Sequence, residues 1–575
     1  MILHKVAHLR ICRARISCTA TTLRSRFHST DTSHEEFFRH TTYRFLHREQ
    51  EELSRRYLSF NVDGLKAAAA RAGGATSVVA MRKFTEGEFN KAFLMTLDNG
   101  KEVVGRLPLP KAGPSQLVVA NEVATMDFAR THMDVPIPKV LSWEANSGQN
   151  SVEKDYMIME KAEGVELNSV WAGLTERLRR ELITELVKLE KKFTKTGIEG
   201  GYGGLYYRRD AEKEKLQLRN ISVDGQKLEK FVLGPATQTS FWRDGKTEMD
   251  IERGPWDSAL SYLLSVASRE RAWVSHHAVH NEYPTPFDPP TDKPEAHIAL
   301  LDKFTALAPY LVPPSSSHLK PTLAHRDLNT GNIFICDQEL QKGKIKLTAI
   351  IDWQHTMIQP FYLAARAIPF LESPNVSQLP FDLTKVDFNA LTSEQLQLIQ
   401  PLFEQMKWAE FYKTMSHALN QPYHDTYFDN TRTLRVKPLL YAGMPFPKHY
   451  HPFRESLFEI IDKWDQLTSG SSLPCPIYFT EEEISARESG KQIWEQYVRT
   501  LGTVDGFIGM GCREGKVKAE NYDDAVKRNK EFMELYVEEL KKDVPEEAES
   551  AADIVPTFWV YRPWENDQEP VPELD

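Results

Sequence analysis

Between Leu323 and Trp353 the sequence runs LAHRDLNTGNIFICDQELQKGKIKLTAIIDW. His325-Arg326-Asp327 is followed, five residues beyond the aspartate, by Asn332. A strand over Ile333–Cys336, a turn at Lys342-Gly343-Lys344 and a second strand over Ile345–Ile351 then lead to Asp352. This order suits transfer of a phosphoryl group to a hydroxyl. Such a reaction calls for a carboxylate that orients the hydroxyl and accepts its proton. It also calls for oxygen ligands on a magnesium ion that clamps the nucleotide phosphates. Asp327 suits the first role. Asn332 and Asp352 suit the second, because the hairpin between them returns a second carboxylate to the side of the asparagine. His325 and Arg326 read as scaffolding, a buried histidine holding the loop and an arginine tying it to neighbours.

Elements must deliver these groups, and the flanking sequence supplies them. Val78, Val79 and Met81 open one strand, Ala92–Leu97 a second and Glu102–Leu107 a third. Asp98-Asn99-Gly100 between the last two predicts a tight hairpin with φ > 0 at both central residues. Helical spacing is read from Asn121 onward, and Pro136 and Pro138 close that region. DYMIME, Asp155–Glu160, reads as another strand ended by a turn at Gly164. Beyond residue 170 helices dominate. Thr175 is a candidate N-cap for a helix carrying Leu178, Leu182, Ile183, Leu186 and Leu189 on one stripe. Phe403, Met406, Trp408 and Phe411 lie in a further helix that Pro401 is expected to kink or restart. Phe532, Met533, Tyr536, Val537 and Leu540 give the last strong stripe.

Composition narrows the classes. The 575 residues are 41% hydrophobic and 26% charged, which excludes collagen-like, disordered and membrane chains. A net charge of −10 argues against a general nucleic-acid binder. No apolar run is long enough to span a bilayer as a helix. Cys12, Cys18, Cys336, Cys475 and Cys512 show neither a CxxC pair nor zinc-ligand spacing, so no disulfide framework or zinc site is expected. Residues 1–30 differ from the rest. They hold Lys5, Arg10, Arg13, Arg15, Arg24 and Arg26 with several hydroxyl residues and no acid, as an organellar transit peptide does. A disordered basic tail is the alternative. Residues 31–59 read as a helical lead-in, and 546–575 as an acidic tail.

The HRD…N pattern and the Ile-Asp-Trp ending resemble the kinase-like phosphotransferases of the aminoglycoside phosphotransferase and choline kinase type. Within them the layout is similar to the fungal branch named altered inheritance of mitochondria protein 9. That resemblance implies an α+β, bilobal protein-kinase-like fold. A small antiparallel β-sheet N-lobe would span 60–161, and a large, mainly helical C-lobe 162–545 with an insert near 200–300. It implies a mitochondrial enzyme, most simply of the matrix, that moves the ATP γ-phosphate to a hydroxyl of a small-molecule acceptor, with ATP and Mg2+ as cofactors. Asp327 is then the catalytic base, and Asn332 and Asp352 hold the metal. In the N-lobe the phosphate loop would be Glu86–Ala92 with its single Gly87. Arg106 stands where a lysine is usual, with Glu122 as its helical partner, and Met159 and Lys161 border the adenine hinge. The insert, with Gly200–Gly204, Tyr206, Tyr207, Trp242 and Arg253–Trp256, would shape the acceptor site. Two alternatives stay open: a kinase-fold protein that binds nucleotide or a partner without catalysis, and Arg106 as a plain structural ion-pair residue.

Overall fold

The first sheet is built on a central pair of largely buried strands. Val78–Lys83 (β1), Asn90–Leu97 (β2) and Glu102–Pro108 (β3) form an antiparallel meander, with Ala92 opposite Arg106. A computed structural model of the chain describes residues 34–278, 293–374 and 393–543, with Asp553, Val555–Thr557 and Trp559–Pro563 of the tail. Residues 1–30, read as a transit peptide, lie outside the described residues, as does most of the acidic tail. The β2–β3 turn differs from the expected two-residue form. Leu97 N–H donates to Lys101 O at 2.8 Å, Gly100 N–H to Leu97 O at 2.9 Å, and Gly100 (φ 80°), not Asn99, takes positive φ. This is a three-residue loop ending in a left-handed glycine. Asp98 is thereby freed to accept from Thr76 N–H at 3.2 Å and Ser77 Oγ at 3.1 Å, and Asn99 donates to Gly73 O at 3.2 Å.

The helix after β3, Ser115–His132 (α1), starts before the expected Asn121. Val140–Glu144 (β4) and Tyr156–Glu160 (β5) complete a five-stranded sheet in the order β1-β2-β3-β5-β4. The strand Val165–Glu166 (β6) follows a turn at Gly164, φ 93°, where a Cβ would stand 2.1 Å from the Ile335 carbonyl oxygen. Only glycine fits there.

Glu176–Lys195 (α2) begins as predicted, with the Thr175 hydroxyl accepting from Leu178 N–H, and buries Leu178, Leu182, Ile183, Leu186 and Leu189. The insert then supplies strands Ile198–Glu199 (β7), Gly203–Tyr207 (β8), Arg219–Val223 (β9) and Gln226–Gly234 (β10), and the helix Ala259–His277 (α3). Pro294–Leu311 (α4) packs on α3. Pro321–Leu323 (β11), Ile333–Ile335 (β12), Leu347–Ile350 (β13) and Met357–Pro360 (β14) frame the HRD segment. Two sheets result, one in the order β11-β14-β8-β10-β9-β7 and one in the order β13-β12-β6. The insert is therefore not an appendage: β8 pairs directly with β14, Met357 opposite Gly204. Ser393–Leu419 (α5) continues through Pro401 without a restart. Burial of Ile399, Trp408 and Tyr412 outweighs the lost backbone bond. The body is thus α+β and bilobal, a small antiparallel sheet lobe beside a larger lobe dominated by helices.

Two compact units divide the chain, and the division departs from the expected one. One unit holds residues 63–278 and 293–478, the body just described. The other holds residues 34–62 and those from 479 onward. The helices Arg487–Ile508 and Tyr522–Asp543, expected in the C-lobe, belong to this second unit. The lead-in is not all helix: its strand Tyr43–Phe45 pairs antiparallel with Lys516–Lys518. The stripe Met533, Val537 and Leu540 buries against Leu46, Val504, Ile508 and Trp559, and this local core holds the unit together.

Candidate active site

The loop between β11 and β12 carries Asp327 outward and fixes it from within. His325 Nε2 lies 2.9 Å from the Ile351 carbonyl, and Asp327 N–H donates to His325 Nδ1 at 3.2 Å. A backbone carbonyl only accepts, so Nε2 holds the proton and Nδ1 the lone pair. The ring packs edge-on to Trp353 at 4.7 Å. Burial lowers its pKa, which keeps it neutral. Asn329, not singled out by the sequence, donates to Asp327 Oδ2 at 2.8 Å and accepts from Gly331 N–H at 2.8 Å. Asn332 Nδ2 donates to the Asp327 carbonyl at 2.8 Å. The loop is thus a closed turn with an exposed carboxylate on top.

The two strands of the hairpin pair antiparallel, but a short helix, Asp337–Gln341, precedes the expected Lys342–Lys344 turn between them. Ile333 faces Ile350, and Ile351 N–H donates to Asn332 O at 3.0 Å, so Asp352 begins beside Asn332. Asp352 adopts a left-handed backbone, φ 66°, which aspartate tolerates better than most residues. With its amide nitrogen held by the loop, Asn332 keeps Oδ1 available. Asp352 Oδ1 receives Arg106, and Oδ2 has no partner among the described residues. These are hard oxygen donors of the kind magnesium takes, one carboxylate and one amide, with phosphates and water filling the remainder. Among the described residues no group of three or more His, Cys, Asp or Glu is arranged to hold a metal.

Arg106 is the hub. Buried on β3, it donates through Nη1 to Glu122 of α1 and through Nη2 to Asp352, and Gln354 Oε1 lies 3.4 Å from Nη2. Asn90, of the expected phosphate loop, and Gln354, not singled out by the sequence, bond each other at 2.6 Å beside it. Burial opposes the Arg106 charge, but Glu122 and Asp352 raise its pKa overall. Burial pushes Glu122 up to about 7 against the pull of Arg106. Burial also acts to raise half-exposed Asp352, and Arg106 overrides it and holds that carboxyl below its usual value.

The remaining expected residues stand apart from this cluster. Gly87 sits in an open, exposed loop pinned by the Glu86–Lys91 ion pair. A Cβ there would meet nothing within 4 Å, so the position does not demand glycine. Met159 is buried on β5 opposite Val104 and Val140. Lys161, just past β5, bonds Glu102 at 2.6 Å, at the end of β3 about 13 Å from Arg106 at a strand's rise per residue. Arg326 is not the tie it was expected to be: no described residue bonds its guanidinium.

Asn121, the neighbour of Glu122 on α1, links this lobe to the insert. Its Nδ2 donates to Leu205 O at 3.0 Å and its Oδ1 accepts from Thr237 Oγ at 3.0 Å. The Thr237 carbonyl in turn receives His355 Nδ1 at 2.6 Å.

Residues 80–363, which contain Arg106, Glu122, Asp327, Asn332 and Asp352, match the family described as the Phosphotransferase enzyme family. A subtelomeric hrmA-associated cluster protein of Aspergillus fumigatus is 29% identical over 78% of this chain and 91% of its own length. The Yarrowia lipolytica protein named altered inheritance of mitochondria protein 9, mitochondrial, is 23% identical over 81% of this chain and 83% of its own. The solved GDP and kanamycin complex of APH(2")-IIia shares 12% identity, covering 70% of this chain and 97% of that one, with a TM-score of 0.33.

Proposed function

Because residues 80–363 match the Phosphotransferase enzyme family, we propose that this protein transfers the ATP γ-phosphate to a hydroxyl of a small molecule. The observation that carries the reading is the exposed Asp327 on a turn closed by His325, Asn329 and Asn332, with Asp352 delivered alongside. Asp327 accepts the proton of the acceptor hydroxyl as its oxygen bonds the γ-phosphorus and the bond to the β-bridging oxygen breaks. Phosphorylated acceptor and ADP result, and the proton passes from Asp327 to solvent. Magnesium, when bound with the nucleotide, neutralises phosphate charge, and Asn332 Oδ1 and Asp352 are the donors that would hold it. Arg106 supplies positive charge at the phosphates at any working pH.

Full-length protein incubated with γ-labelled ATP, magnesium and a metabolite extract should label a small molecule, and Asp327→Asn protein should not. The reading fails if neither labels anything while Mg-ATP binds. That result would instead support a second reading, a nucleotide-binding protein without catalysis. One observation favours that alternative: Asp352, a proposed metal ligand, is held by Arg106.

The relatives' names and the basic, acid-free first thirty residues support a mitochondrial location, in the matrix. Residues 1–30 should carry a reporter into mitochondria, and changing Arg10, Arg13 and Arg15 to Glu should leave it in the cytosol. A reporter that stays cytosolic behind the native segment overturns this.

A further inference from the structure

Beside Asp327, which offsets part of the Arg326 charge, stand three arginines that no carboxylate holds in an ion pair among the described residues. Arg326, Arg366 and Arg243 are all exposed, and no described residue makes an ion pair or hydrogen bond to their side chains. Arg326 is within electrostatic reach of both others. Two shallow, open recesses share Arg326, Arg366 and His325 in their walls, and Arg243 lies outside both. Arg326 is exposed yet surrounded by protein, and desolvation with its two cationic neighbours lowers its pKa to about 10 against the pull of Tyr262 and Asp327.

Like charges clustered without ion pairs destabilise the fold, so three of them beside a catalytic loop call for a ligand. The cluster is also built rather than loose. The Tyr423 hydroxyl donates to the Arg366 carbonyl, and Tyr412 joins Tyr423 at 3.0 Å, fixing the backbone that bears the guanidinium.

A second observation points the same way. His355 lines the smaller recess at 6% exposure, and its Nε2 has no hydrogen-bond partner. Its Nδ1 faces the Thr237 carbonyl and must carry the proton, so Nε2 is a bare acceptor. Thr356, 2% exposed in the same wall, has an unpartnered Oγ. The recess therefore offers positive charge to an anion and an acceptor to a hydroxyl.

We propose that the acceptor is an anionic alcohol, a hydroxylated molecule bearing a phosphate or carboxylate that Arg326, Arg366 and Arg243 bind while its alcohol side reaches His355 and Asp327. This rests on the phosphotransferase reading for the fate of the hydroxyl, but the binding claim stands without it. A cationic acceptor would add to the repulsion already present, whatever the acidic net charge of the whole chain.

Three probes of one ring separate the possibilities: glucose 6-phosphate, glucose and glucosamine, with glucuronate as the carboxylate arm. Binding to the full-length protein is measured by calorimetry at constant ionic strength, with Mg-ADP present so that Arg106 is not the anion's target. Inorganic phosphate is titrated under the same conditions as the simplest anion. Phosphate and at least one anionic sugar should bind, with glucose and glucosamine at least tenfold weaker. Arg366→Gln and Arg243→Gln should each weaken anion binding about tenfold, the size of one charge-assisted hydrogen bond. Arg366→Glu should reverse the order of glucose 6-phosphate and glucosamine.

The proposal is overturned if phosphate leaves the protein unaffected, or if glucosamine binds as well as glucose 6-phosphate. It is also overturned if the Arg243→Gln protein, altered only at an exposed residue, binds phosphate as wild type does. Mg-ATP affinity, measured alongside, reports separately on the phosphotransferase reading: its loss with anion binding intact would sink that reading and spare this one.

Discussion

The two halves of the candidate site are built on opposite principles. The loop around Asp327 satisfies its own polar groups internally and leaves its carboxylate in solvent. Arg106, on β3, is buried and shared between Glu122 and Asp352, so its neighbourhood is held by charges that belong to three separate elements. A group presented by a closed turn is removable without loss of the turn. A group that neutralises two carboxylates is not. Chemistry and stability should therefore separate cleanly between the two regions.

The largest effect is expected at the buried half. Arg106→Ala leaves Glu122 buried without its cation, and breaking such a pair costs about 3–5 kcal/mol. Urea denaturation should register that loss together with lost nucleotide binding. Arg106→Lys should recover most of the stability, and nucleotide binding too if the lysine stem reaches the phosphates. If Arg106→Ala unfolds at the wild-type urea concentration, the hub is not a hub. At the exposed half, Asp327→Asn should cut turnover on the order of 100-fold while Mg-ATP affinity and the unfolding midpoint stay put. A fall in the midpoint as large as that of Arg106→Ala would erase the contrast.

A smaller effect extends the comparison to pH. Glu190 is buried on α2, with the Tyr412 hydroxyl 2.8 and 2.9 Å from its oxygens, and burial pushes its pKa up to about 8. The native state keeps its proton where the unfolded chain, with an ordinary value of 4.5, has released it. Stability should therefore fall as pH rises from about 4.5 to 8, and Glu190→Gln should flatten that slope in thermal melts. A wild-type slope unchanged by the substitution removes Glu190 as its source. Smallest of all, Gly87→Ala should leave Mg-ATP affinity within about twofold of wild type and raise stability by up to about 1 kcal/mol. A tenfold loss of affinity would show that the phosphates approach this backbone more closely than the open loop suggests.

What the sequence made legible follows from what is local. Asp327, Asn332 and Asp352 lie on one loop and one hairpin, so their spacing alone brings them together. Arg106 and Glu122 could be paired because a strand end and the next helix are near neighbours. The start of α1 was hidden for a physical reason. Val118–Met126 are buried on all sides, so no polar face marks the helical period before Asn121. Asn329 stood in plain view within the HRD segment, and its signal was the Asn-Thr-Gly turn after the aspartate. Gln354 and His355 come just after the Asp352-Trp353 pair, but their roles depend on Asn90 and Thr237, far away in sequence. Arg243 and Arg366 come from two elements folded onto the loop, and nothing in their local sequence distinguishes them from surface arginines.

The pairing of Tyr43–Phe45 with Lys516–Lys518 sets an order of events during synthesis. Its first strand leaves the ribosome early and its second only roughly 470 residues later, a delay of about half a minute to a minute and a half at ordinary elongation rates. Residues 63–278 and 293–478 are complete before that partner exists. The larger unit can thus mature while the chain is still being made, whereas the unit that joins residues 34–62 to those from 479 onward is assembled last. A ribosome stalled between residues 480 and 515 should carry a protease-resistant body and a protease-sensitive segment 34–62.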